Sequence, residues 1–156
     1  MSVVSDTTAI TTLLKAGQCR LLQELFDRVF VPQAVWDELM DFHRELPDFV
    51  ELRPVRHPGQ RLPGTETLGR GEAEAILLAK ELSARLLVID DLKARMTAKR
   101  LNVPCIGLVG VVIQAKRLGK ISSVRDLLKI IETKGGLYLS DSVFAEALRW
   151  PMKFKS

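Results

Sequence analysis

The chain has 156 residues, 47% of them hydrophobic and 27% charged, with a formal net charge of +4. That length accommodates one domain with a real core and no need of disulfides, and the balance excludes disordered and fibrous classes. No apolar run reaches the roughly 20 residues of a membrane span, and the first residues carry neither a basic segment nor a signal-type apolar core, which predicts a cytoplasmic protein.

Val3-Val4 reads as a short first strand halted by Ser5-Asp6-Thr7-Thr8. After it Ile10, Leu13, Leu14 and then Leu21, Leu22, Leu25 recur at helical spacing, with Gly17 separating two short helices. Val29-Phe30-Val31 is a second strand, and Pro32 opens a helix through Ala34, Val35 and Leu39. A third strand is expected near Phe49 to Leu52. From Pro54 to Arg70 the chain is rich in Pro and Gly and reads as a flap beside a site.

Gly71-Glu72-Ala73-Glu74 opens a helix with Ala75, Ile76, Ala79 and Leu82 on one face and acids in its first turn, where the helix dipole favours them. Leu86-Leu87-Val88-Ile89 is an unbroken apolar run, the mark of a strand buried on both faces of a parallel sheet, and it stops at Asp90-Asp91. A basic helix with Lys93, Arg95, Lys99 and Arg100 follows, then a short strand at Cys105-Ile106. From about residue 107 the chain reads as helical, with a turn at Gly135-Gly136. Alternating strands and helices predict one α/β domain over residues 1–156, a central mostly parallel sheet of four to five strands with helices on both faces.

Acids at the carboxyl ends of parallel strands point into one crevice, and Asp6 and Asp90 both hold that position. Glu38 and Glu72, on helices flanking those strands, would complete an oxygen-rich pocket suited to Mg²⁺ or Mn²⁺. Singly, each acid has a plainer reading: Asp6 or Asp91 as a helix cap, Glu72 and Glu74 as answers to a helix dipole, Glu38 as an exposed helix residue. Together they are harder to dismiss, above all a buried strand running into two aspartates.

Other chemistries lack their residues. Cys19 and Cys105 have no Cys or His at zinc-ligand spacing, and His43 and His57 lack the partners of a catalytic triad. Aromatic residues make up 6%, with no aromatic-basic ladder for stacking single-stranded bases. Charge is divided along the chain: residues 1–92 hold 10 basic and 15 acidic side chains, residues 93–156 hold 13 and 4. Early acids and late bases suit an enzyme that brings a polyanion to a metal. Arg95 and Lys99, one helical turn apart, and Arg56 and Arg61 on the loop are candidates for RNA phosphates, with ordinary solvated charge as the alternative.

Val3-Val4-Ser5-Asp6-Thr7-Thr8, Val35-Trp36-Asp37-Glu38-Leu39, Gly71-Glu72-Ala73-Glu74-Ala75-Ile76 and Leu87-Val88-Ile89-Asp90-Asp91 together resemble the PIN domain, across nearly the whole chain. Lys93-Ala94-Arg95 and Ile106-Gly107-Leu108-Val109-Gly110 are similar to a prokaryotic group related to the VapC toxins of toxin–antitoxin systems. The resemblance implies a three-layer PIN-like sandwich and a Mg²⁺- or Mn²⁺-dependent ribonuclease. It implies metal and catalytic roles for Asp6, Glu38, Glu72 and Asp90, with Glu74 and Asp91 as secondary candidates. Thr7 or Thr8 resembles the family's hydroxyl beside the first acid.

The third acid is Glu where many members have Asp, which leaves open a non-catalytic RNA- or protein-binding module on the same fold. Leu13-Leu14 and Leu21-Leu22 offer more apolar surface than short helices hide easily, and the resemblance likewise implies a homodimer. A cognate antitoxin protein is a further implied partner.

Overall fold

A computed structural model describes residues 2–153, with side chains described as far as Arg149. Residues 1 and 154–156 of the expected domain lie outside the described residues. Strands β1 (Val3–Ser5), β2 (Val29–Val31), β3 (Val50–Leu52), β4 (Leu86–Val88) and β5 (Cys105–Ile106) alternate with helices. These are α1 (Thr7–Lys15), α2 (Arg20–Phe26), α3 (Gln33–Phe42), α4 (Arg70–Glu81), α5 (Leu92–Arg100), α6 (Leu108–Arg117), α7 (Val124–Gly135) and α8 (Asp141–Lys153).

The five strands form one sheet in the order β3-β2-β1-β4-β5, and every pairing is parallel. The sheet and its helices make an α/β three-layer sandwich. β1 lies at the centre because its residues are wholly apolar or small: Val3, Val4 and Ser5 are all buried. The chain builds outward from β1 through β2 to β3, then returns to lay β4 against β1, with Ser5 opposite Val88. Strand order therefore reverses between β1 and β4, the place where an open parallel sheet leaves a crevice at its carboxyl edge.

The apolar run expected to be a doubly covered strand is one: Leu87, Val88 and Ile89 are inaccessible to solvent. At about 1.5–3 kcal/mol for each buried aliphatic side chain, this segment is a strong anchor for whatever follows it. The two short helices expected around Gly17 are α1 and α2, and Gly17 takes the left-handed backbone (φ +69°) that ends the first. Pro32 is the N-cap of α3 rather than a residue within it.

Most of the apolar surplus expected from Leu13-Leu14 and Leu21-Leu22 of α1 and α2 is absent, with Leu14 alone of the four partly exposed. Leu13, Leu21 and Leu22 are buried in the core; α2 packs beside β2, and α7 packs across α1 and covers it. Gly135 permits this approach, since a Cβ there would meet the Thr12 carbonyl oxygen at 2.9 Å. These leucines give no support to a homodimer. Among the described residues, no helix is long and apolar enough to cross a membrane.

Candidate functional site

Asp6 follows β1 directly and is 1% exposed. Its Oδ1 accepts the Ala9 N–H at 2.9 Å, which caps α1, and its Oδ2 accepts the Asp90 N–H at 3.2 Å, which ties the ends of β1 and β4 together. Burial pushes the Asp6 carboxyl up to about 7; the N–H groups of Ala9 and Asp90 oppose this, and the charges of Asp90 and Glu72 add to it. A carboxylate at that depth needs a compensating charge. The ion pairs Arg28–Glu51 and Arg149–Glu146 involve none of the acids around it.

Glu38 reaches the same place from α3. Its Oε2 accepts the Thr7 hydroxyl at 2.7 Å, so the threonine after the first acid fixes the second. Gly71 makes the approach possible: a Cβ there would stand 2.5 Å from Glu38 Oε1 and 3.1 Å from Cδ. Sequence reasoning passes over Gly71, although a glycine in the first turn of a helix otherwise rich in alanine is the visible trace of such a close contact.

Glu72 lies on the first turn of α4, and its Oε1 accepts the Gly69 N–H at 3.2 Å, so it also serves the helix terminus. Burial raises its carboxyl, partly offset by the Gly69 N–H, and the charges of Asp91 and Glu38 raise it further. Asp6, Thr7, Thr8, Glu38, Gly69, Gly71 and Glu72 together line a cleft of about 280 Å³.

Asp90 adjoins this cleft through its backbone bond to Asp6. Its Oδ1 accepts the Leu108 N–H at 3.0 Å, from the first turn of α6, and Gly107 leaves room for the contact. Neither Gly107 nor the N-terminus of α6 stands out in the sequence as part of a site, since a backbone donor has no residue type to read.

Glu74 and Asp91 each bond a helix N-terminus. Glu74 Oε1 accepts the Ala34 N–H at 2.9 Å and so satisfies the N-terminus of α3. It lines a different cavity, with Arg61 and Arg70. Asp91 is the N-cap of α5, its Oδ2 accepting the Ala94 N–H at 2.9 Å.

Of the bases, Arg95 donates from Nη1 to the carbonyls of Ile89 (3.1 Å) and Asp90 (2.7 Å). Lys99 is exposed on the same helix. Arg56 is exposed, with its backbone N–H bound to Glu81. The loop carrying Arg56 and Arg61 is pinned by buried Val55 and Thr65.

The donors facing the cleft are all oxygens, as Mg²⁺ and Mn²⁺ prefer. Among the described residues, no three acid, histidine or cysteine side chains converge tightly enough, as oriented, to hold one ion among them. Mg²⁺ keeps several of its waters, so a few carboxylates can serve it, some directly and some through water.

A family model described as PIN domain matches residues 2–151 of the chain. No curated protein matches it.

Proposed function

The chain belongs to the PIN-domain family, a fold of nucleases, and we propose that it is a divalent-metal-dependent endoribonuclease. Asp6, Glu38, Glu72 and Asp90 would hold Mg²⁺ or Mn²⁺, and an RNA phosphodiester would be the substrate. The observation that supports this most is Asp6: a buried carboxyl held near 7 beside Asp90 and Glu72, with no basic side chain paired to it among the described residues. An ion bound there would lower the pKa of a coordinated water and balance charge on the phosphate.

The chain's own groups have separable roles. Thr7 keeps the Glu38 carboxylate turned to the cleft. Asp6 ties the two strand ends, so that the first and fourth acids stay in register. Glu72, at a helix start three residues from Gly69, presents a carboxylate that can accept a proton from an attacking water. Exposed Lys99, Arg56 and Arg61 would meet backbone phosphates. The same reading extends to a toxin of a toxin–antitoxin pair, cytoplasmic and homodimeric, with a small cognate antitoxin.

Glu72 at the third position, where many members have Asp, is the ground for a second reading, a PIN fold that binds RNA or protein without cutting it. The two separate in one assay. Single-stranded RNA incubated with Mn²⁺ should be cleaved by the wild-type chain, with about a 10³-fold loss in Asp90→Asn. RNA retained without cleavage, by both chains alike, would favour the binding module.

A further inference from the structure

Arg95 stands one turn into α5, where the sequence alone suggests a solvated base facing RNA, yet its guanidinium turns inward. Nη1 donates to the carbonyls of Ile89 and Asp90, the two residues beyond the end of β4. Gly107 lies flat against it: a Cβ at that position would be 2.5 Å from Nη1, 3.1 Å from Cζ and 3.3 Å from Asp90 Oδ1. Asp90 is consequently held at three points, by its N–H to Asp6, by its carbonyl to Arg95 and by its carboxylate to the Leu108 N–H.

We infer that Arg95 is a positioning residue, which fixes the β4–α5 elbow so that the Asp90 carboxylate is aimed between β1 and α6. This rests on the reading of Asp90 as an acid of the cation site. The donor meets carbonyls rather than a carboxylate, so the elbow is fixed without neutralising the acid. A guanidinium suits this role because its planar, rigid fork lets one nitrogen sit between two consecutive carbonyls, whereas a lysine ammonium is a mobile point donor. Gly107 is the necessary counterpart, since any side chain there would displace either the arginine or the aspartate.

The test uses the full chain as wild type, Arg95→Met and Arg95→Lys. In the metal-free protein, amide hydrogen exchange followed by NMR should accelerate at least tenfold at Asp90 and Leu108 in Arg95→Met. It should accelerate less in Arg95→Lys, with Leu128 and Ile131 of α7 unchanged in both. Mn²⁺ alone, titrated calorimetrically, should bind about tenfold more weakly to Arg95→Met. RNA cleavage should lose kcat while KM stays within about twofold.

Unchanged exchange at Asp90 and Leu108, or a raised KM with Mn²⁺ affinity intact, would overturn the inference and return Arg95 to the phosphate contacts. If Arg95→Met fails to fold, Arg95→Lys decides by the same two amides. Should wild type bind no Mn²⁺, the proposed function fails, and the exchange data still judge Arg95.

Discussion

Two short stretches each carry a pair of acids, the start of α4 with Glu72 and Glu74 and the β4–α5 elbow with Asp90 and Asp91, and each pair divides its work in the same way. One member, Glu72 or Asp90, sits close to Asp6 and also bonds a helix N-terminus, α4 or α6; the hydrogen bond of the other goes to a helix N-terminus alone, Glu74 on α3 and Asp91 on α5. The means differ. On α4 a two-residue step turns side chains by about 200°, so helical geometry alone sends them apart, and Glu72 is seated locally by Gly69, three residues back. At the elbow the separation depends on distant elements: Asp6, Arg95 and Leu108 all bond to Asp90. A locally seated acid can be changed with local consequences, whereas the elbow acid sits where β1, β4, α5 and α6 meet.

The largest expected effect tests that distinction. Asp90→Asn should lower Mn²⁺-dependent RNA cleavage about 10³-fold and Glu72→Gln only roughly 10- to 100-fold, both with native thermal unfolding, since each amide keeps an acceptor for Leu108 or Gly69. Equal losses would erase the contrast between a tertiary seat and a local one.

The next effect concerns the acid that joins both strand ends. The folded Asp6 carboxyl holds its proton up to about pH 7, whereas its ordinary value is 3.8. Between those values the folded state binds more protons than the unfolded one, so metal-free stability falls as pH rises. The contribution is complete below 3.8 and gone above about 7, on the order of 4 kcal/mol in all. Urea unfolding across pH 4 to 8 should trace that decline in wild type and a flatter curve in Asp6→Asn, whose side chain can still cap α1. Parallel curves would mean that Asp6 is ionised throughout.

Gly71→Ala comes third, because the new methyl would press on the Glu38 carboxylate. Mn²⁺ affinity should fall about tenfold while α4, gaining alanine, keeps its stability within about 1 kcal/mol. The smallest effects belong to the capping members. Glu74→Ala and Asp91→Ala should each cost about 1 kcal/mol in thermal or urea unfolding and leave cleavage within twofold. A tenfold loss of cleavage in either would merge the two classes of acid.

Much of this arrangement is legible in the sequence because it follows from periodicity and from where apolar runs stop. Val3-Val4 ending at Asp6, and Leu86 to Ile89 ending at Asp90, place two acids at strand ends, and an all-parallel sheet brings those ends together. Glu38 and Glu72 are legible through the family motif.

Roles that depend on backbone donors are not legible. The family motif ranks Glu72 above Glu74, but periodicity and charge do not separate them until α3 is packed against α4 and the Ala34 N–H faces Glu74. Arg95 reads as a surface base because its partners are carbonyls, which every residue possesses. The leucines of α1 mislead for a related reason, since the cover supplied by α7 comes from more than a hundred residues further along the chain.

The central claim is that one acid of each pair would serve a cation as well as a helix start while the other serves a helix start alone, and a calorimetric titration with Mn²⁺ at pH 8 tests it most directly. Wild type and Glu74→Gln should bind with affinities within twofold, and Glu72→Gln should bind at least tenfold more weakly. Equal weakening in the two variants, or none in either, would contradict the account.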